Sequence, residues 1–213
     1  HQSVPYIYQE EGEYYPKTFA NRAEEALRRS AVLERDVQLD SMTGLFNRKY
    51  TECHISRLLS EEKVDGFLFL LDLDEFKKVN DMHGHQAGDA LLKRISAVLA
   101  ENIRVSDIGG RMGGDEFLVL CRNIREEAVN EKLRQILSDM EVTYHTGKKA
   151  IKFSISAGYA MIPRQGNTFD ELYRKADTAL FTAKMNGKST FAQYDSGMKE
   201  VRPELADPEK TSE

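Results

Sequence analysis

"RMGGDEFL" occupies residues 111–118, and the fold turns on how that string is read. Two glycines, Gly113 and Gly114, surrender backbone order. Two adjacent carboxylates, Asp115 and Glu116, follow them, and the run "EFLVL" after them has the character of a buried strand. A purely structural hairpin is served by Asn-Gly or Asp-Gly. Glycines and acids together at the head of an apolar strand suggest a bulky ligand approaching the backbone and a cation neutralising the acids. The plainer alternative is an acidic hairpin tip in solvent.

Outward from that string, strands and helices alternate. "GFLFLLDLD" (66–74) reads as a buried strand entered through Asp65-Gly66, and "DEFLVLC" (115–121) as a second. "AIKFSISAGYAMI" (150–162) reads as one long strand, and "TFAQY" (190–194) as a final edge strand. Leu91, Leu92, Ile95, Val98 and Leu99 form one helical face, and Val129, Leu133, Ile136, Leu137 and Met140 a second. Phe169, Leu172, Tyr173, Ala176, Leu180 and Ala183 form a third, closed by Asn186-Gly187. "DSMTGLFNRKY" (40–50) holds turn formers and then restarts a helix. The order predicts an α/β sandwich with helices packed on a mixed or antiparallel sheet.

Upstream, Phe19, Ala23, Ala26, Ser30, Leu33 and Val37 repeat at heptad spacing. They fit a coiled-coil helix over 18–39 that pairs two copies, or a helix packed on its own domain. Residues 1–17 stay unassigned, the globular domain is expected over 40–195, and the polar tail 196–213 reads as disordered.

The chain has 213 residues and a net charge of −5, with 40% hydrophobic and 31% charged residues. That is ordinary globular composition, without general attraction for nucleic acid or anionic membrane. The longest apolar run, "GFLFLL" (66–71), is far too short to span a bilayer. A cytoplasmic domain is expected. The first residue is His1 rather than Met, so the expectation is an excised piece whose parent carries an upstream sensor domain and, in one reading, a membrane anchor. Cys53 and Cys121 show no ligand or disulfide spacing and read as buried thiols in a reducing compartment.

Asp72 points to the same side of its strand as Leu68 and Leu70, where a charge is costly unless paired with a lysine or a metal ion. Asp74, read as facing the same side, strengthens the metal reading, because like charges need a cation between them. Carboxylates and a backbone carbonyl suit Mg²⁺. "DLDEFKKVNDMHGHQAGDALL" (72–92) adds Lys77, Asn80 and Asp89 around a Gly84-His85 turn. An Asn amide with an Asp carboxylate matches a guanine edge, although each alone is a common turn or cap residue. Lys184 and Lys188, four apart and read as one helix face, suit either a triphosphate or a helix dipole. His83 and His85 lack a third soft ligand and read as turn residues.

With these residues in place, the sequence resembles the GGDEF-domain diguanylate cyclases over residues 40–195. The resemblance rests on the ordered set "DSMTGLFNRK", "DLDEFKKVND", "GHQAGD", "RMGGDEF", "SISAG" and "ADTALFTAKMNGKS". It implies a fold like the polymerase palm and the class III nucleotide cyclase core, a central mixed sheet flanked by helices and preceded by a coiled-coil helix. It implies condensation of two GTP molecules into cyclic di-GMP across a homodimer, with Mg²⁺, or Mn²⁺, as cofactor and no nucleic-acid partner. By that resemblance Asp72, the Leu73 carbonyl and Asp115 hold metal, and Glu116 is either a further ligand or the base for the 3′-hydroxyl. Asn80 and Asp89 read guanine. Lys184, Lys188 and the backbone near Phe76 and Lys77 bind phosphates, and Gly113 and Gly114 lie against the nucleotide. "RVSD" supplies Arg104 and Asp107 at the family's offset for an inhibitory cyclic di-GMP site; a local Arg–Asp ion pair is the alternative. Phe181 and Ser189 depart from the common Tyr and Asn. The competing readings are a catalytically silent module that binds GTP or cyclic di-GMP as receptor or scaffold, and a cyclase making another dinucleotide.

Overall fold

The structure is a computed structural model that describes residues 38–140, 144–146, 149–151 and 153–198. The expected heptad helix over 18–39 lies outside the described residues except for Gln38 and Leu39, and so do the segment 1–17 and the tail from 199 onward.

Among the described residues, eight strands and five helices follow one another. They are β1 (Phe46–Asn47), α1 (Arg48–Glu61), β2 (Gly66–Leu73), α2 (Phe76–His83), α3 (His85–Asn102), β3 (Ile108–Gly113), β4 (Glu116–Arg122) and α4 (Glu126–Met140). Then come β5 (Tyr144–Thr146), β6 (Lys149–Ile151), β7 (Ile155–Ile162), α5 (Phe169–Met185) and β8 (Phe191–Gln193). Six strands form a mixed sheet in the order β1-β3-β4-β2-β7-β8. The outer pairs β1–β3 and β7–β8 are parallel, and the inner pairs are antiparallel.

All eight residues of β2 are buried, because helices cover both faces of the sheet. Phe67, Phe69, Leu71 and Leu73 enter one core with Leu91, Leu92 and Ile95 of α3 and Val129, Leu133 and Ile136 of α4. Leu68 and Leu70 enter the other with Ile55 and Leu58 of α1 and Leu172, Ala176 and Leu180 of α5. Each such Leu, Ile, Val or Phe side chain contributes about 1.5–3 kcal/mol on burial, so the central strands anchor the fold and fix where their ends project.

Two glycines permit this packing. A Cβ on Gly158 of β7 would lie 2.0 Å from the Leu180 nitrogen and 2.2 Å from the Ala176 carbonyl oxygen, so α5 rests directly on the strand. A Cβ on Gly110 of β3 would lie 2.0 Å from Thr51 Oγ1 of α1.

Three expectations need correction. The long strand over 150–162 is two strands: β6 pairs with β5 in a separate hairpin, and β7 begins at Ile155. Its partner β2 ends at Leu73, which pairs with Ile155, so the ladder has no partner further back. The reading of both cysteines as buried holds for Cys121 alone, because Cys53 lies on the exposed side of α1. Strand β3 was not expected, because "IGGRMG" carries three glycines and little β propensity.

Candidate active site

β2 and β4 run antiparallel, with Asp72 directly opposite Glu116. Alternation puts both on the α1/α5 face, one step beyond the apolar pairs that precede them. Asp72 is buried and Glu116 half-buried. Burial pushes the Asp72 carboxyl up and Lys184 opposes this, while Asp115 and Asp74 add to the rise. Glu116 is raised by burial first, then by Asp72, Asp115 and Asp177. The strand ends therefore gather negative charge that a cation stabilises. In this structure Lys184 answers it: its Nζ lies 2.6 Å from Asp72 Oδ1.

The hairpin between β3 and β4 carries Gly113 and Gly114, with φ of 141° and 52°. Both conformations favour glycine. A Cβ on either would meet nothing within 4 Å, so the hairpin borders open space beside the carboxylates. The loop is clamped from behind. Arg111 donates through Nε and Nη2 to the Gly114 carbonyl at 3.1 and 2.7 Å, and through Nη1 to Asp40 Oδ1 at 3.2 Å. Asp40 Oδ1 also accepts from the Thr43 amide at 2.9 Å and the Thr43 hydroxyl at 2.6 Å. The Leu73 amide donates to the Asp115 carbonyl at 3.4 Å, and Leu73 itself is buried in the core, so a ligand would meet only its main chain.

Asp74 does not join Asp72 as expected. β2 stops at Leu73, so strand alternation no longer sets its direction. Its carboxylate accepts from the Ser154 hydroxyl (2.7 Å), the Ser156 hydroxyl (2.8 Å) and the Ser189 amide (3.0 Å). Lys184 and Lys188 likewise do not share a helix face. α5 ends at Met185, and Lys188 lies beyond Gly187 with φ of 64°. Lys188 Nζ reaches Glu75 Oε1 at 3.0 Å, and Lys78 Nζ reaches Glu75 Oε2 at 2.8 Å. These two lysines hold the Glu75 carboxyl down at about 2. Glu75 caps α2 in a left-handed conformation, and the first backbone bonds to its carbonyl come from Lys78 and Val79. The amides of Phe76 and Lys77 thus head the helix, where anions bind.

Asn80 on α2 and Asp89 on α3 come from two helices hinged at Gly84, whose φ is 83°. Asn80 Oδ1 fills the space a Cβ on Gly88 would occupy, at 2.0 Å, and Asp89 is exposed. Arg104 is exposed as well. Asp107 is buried: its Oδ2 accepts from the Arg104 amide (2.9 Å) and its Oδ1 from the Arg122 amide (3.1 Å). The Arg104 link to that carboxylate is thus made by the main chain.

Asp177, one turn before Phe181 on α5, escaped the sequence reading. Burial raises its carboxyl and Lys184 lowers it, and its charge reaches Glu116. Its place seven residues before Lys184, two helical turns on one face, was the available signal.

Among the described residues, no three His, Cys, Asp or Glu side chains are grouped to hold a metal by themselves. The opposed Asp72–Glu116 pair with Asp115 nearby still fits Mg²⁺, which takes one or two carboxylates and completes its shell with water and substrate phosphates. No helix among the described residues is long and apolar enough to cross a membrane.

The family described as "Diguanylate cyclase, GGDEF domain" matches residues 37–190. The cyclic di-GMP phosphodiesterase PdeR of Escherichia coli is 35% identical over 183 residues, covering 85% of this chain and 27% of that protein. The response regulator PleD of Caulobacter vibrioides is 31% identical over 156 residues, covering 70% of this chain and 34% of PleD. The chain thus spans about a third or less of these relatives' length. Among solved structures, the coiled coil and GGDEF domain of DgcB from Caulobacter crescentus, in complex with c-di-GMP, superposes with a TM-score of 0.71 at 25% identity. It covers 83% of this chain and 97% of that one.

Proposed function

The chain belongs to the GGDEF domain family, and on that premise we propose that it is a diguanylate cyclase joining two GTP molecules into cyclic di-GMP. The observation that carries the reading is Asp72 opposite Glu116, with Lys184 at 2.6 Å, beside a glycine hairpin that borders open space. A pure receptor has no need of opposed carboxylates beside such a hairpin.

Asn80 and Asp89 hold the guanine edge, the carboxylate accepting from its ring N–H and amino groups. Lys184, Lys188 and the amides of Phe76 and Lys77 hold the triphosphate, with Gly113 and Gly114 beneath it. Asp72, the Leu73 carbonyl and Asp115 would hold the divalent metal, with Glu116 as a further ligand or as the base; the metal when bound neutralises charge on the phosphates and lowers the pKa of the attacking hydroxyl. One subunit presents one GTP, and a second copy faces it. The 3′-oxygen of each GTP forms a bond to the other's α-phosphorus while the bond to pyrophosphate breaks. The 3′-hydroxyl proton passes to Glu116 or to a neighbouring water. Two such steps give cyclic di-GMP and two pyrophosphates. Exposed Arg104 offers a planar donor fork to a guanine edge or phosphate of the product, as an inhibitory site.

Incubation with GTP and magnesium, with products identified by mass spectrometry and repeated with added cyclic di-GMP, tests the reading. Cyclic di-GMP should form in a reaction second order in dilute enzyme and stall as product accumulates. Asp115→Asn should remove turnover by about a hundredfold or more while leaving GTP binding measurable. Binding of GTP without any product would favour the receptor alternative. Arg104→Ala should relieve inhibition and spare the chemistry; an unchanged inhibition constant would remove Arg104 from the site.

A further inference from the structure

We propose that Asp74 is a positioning residue for the phosphate end of the site, acting through the Lys188–Ser189 segment. The inference rests on the triphosphate reading of that end. Lys188 and Ser189 both have positive φ, 64° and 49°, and neither is glycine. Consecutive side-chain-bearing residues in this region persist only where their surroundings over-determine them, and such segments concentrate at functional sites.

Two neighbouring acids supply that constraint. Asp74 is 6% exposed and accepts the Ser189 amide from the inside at 3.0 Å. Glu75 takes the Lys188 ammonium from the outside at 3.0 Å. Asp74 is itself locked, because Ser154 and Ser156 donate to its two oxygens at 2.7 and 2.8 Å and its own amide donates to the Ser154 carbonyl at 2.9 Å. One buried carboxylate therefore joins the end of β2, the start of β7 and the loop after α5. The next two residues are Glu75, the cap of α2, and Phe76, its first amide. Asp74 thus sets the distance between the head of α2 and Lys188, the two halves of a phosphate cradle, without facing the cradle. The Ser-x-Ser of "SISAG" and the second Asp of "DLD" gain a shared purpose that neither has alone.

The test compares two probes by calorimetry in magnesium. One is guanosine 5′-[α,β-methylene]triphosphate, which keeps the triphosphate and resists cleavage; the other is GMP. Asp74→Ala should weaken the triphosphate analogue about tenfold, the loss of a charge-assisted bond from the Ser189 amide to a buried carboxylate, and change GMP affinity by less than about twofold. Asp74→Asn should stay within about threefold of the wild type, because its carbonyl can accept from Ser154 and Ser189 while its amide donates to the Ser156 hydroxyl. If Asp74→Ala is not recovered folded, Ser154→Ala carries the same comparison, with a loss of about two- to threefold confined to the analogue. Equal losses for both probes, no loss, or an Asn variant as weak as the Ala variant would overturn the inference while leaving the nucleotide reading intact. A wild-type protein that binds neither probe would overturn both.

Discussion

Lys184 holds Asp72, a residue proposed to hold a metal ion, and Lys188 is likewise engaged by Glu75. Both lysines proposed for phosphate already hold carboxylates, so nucleotide and metal would enter by exchange of partners. Removing Lys184 leaves Asp72 under the repulsion of Asp115 and Asp74 without the lysine that offsets it. Lys184→Ala should lower stability by about 1 kcal/mol, a modest figure because the lysine is a third exposed. Magnesium should raise the melting temperature of this variant more than that of the wild type; an equal response would mean the lysine and the ion do not compete. At this scale the sequence was most informative where strand alternation applied, as at Asp72, Leu68 and Leu70. It misled at Asp74 and Lys188, each just past the end of an element, where periodicity no longer dictates direction. Asp177 carried a helical signal, but only the strand ends nearby give that signal meaning.

The elements that present these residues were largely legible. Apolar runs and 3.6-residue faces located β2, β4 and three of the helices, α3, α4 and α5. Strand β3 was not legible, because its glycines answer to α1 and to the hairpin rather than to strand propensity. The split between β6 and β7 depends on where β2 ends, a tertiary fact. Two predictions belong to this scale. Gly158→Ala forces a methyl into the backbone of α5 and should cost about 3 kcal/mol, read by urea denaturation, and should weaken the proposed nucleotide binding because Lys184 rides on that helix. The Asp40–Arg111 clamp should be sensitive to acid. Burial alone would raise the Asp40 carboxyl, but the Thr43 bonds and Arg111 outweigh it and hold the group below its ordinary 3.8. A depressed native value stabilises above the unfolded pKa and is lost as pH falls through the folded one. Asp40→Asn should therefore cost about 1 kcal/mol at neutral pH, and the gap to the wild type should begin closing near pH 3.8 and vanish in stronger acid. A gap independent of pH would assign the cost to packing instead.

Across the whole molecule, chemical reactivity should divide the two cysteines. Burial pushes the Cys121 thiol up to about 12, and Cys53 is exposed. A thiol reagent at pH 8 should modify one site in the native protein and the second only after denaturation; rapid double labelling would show that the β4 core opens readily. The proposed chemistry also asks two copies to come face to face repeatedly and part again. For a sheet protein that is hazardous, since bare strand margins can fuse neighbouring molecules into a continuous ribbon. Here the outermost strands of the six-stranded sheet, β1 and β8, are two and three residues long. Such stubs offer too few main-chain groups to seed a ladder between molecules. Through the margins of this sheet, encounters at high local concentration should therefore stay reversible, and light scattering of concentrated solutions should fall back fully on dilution.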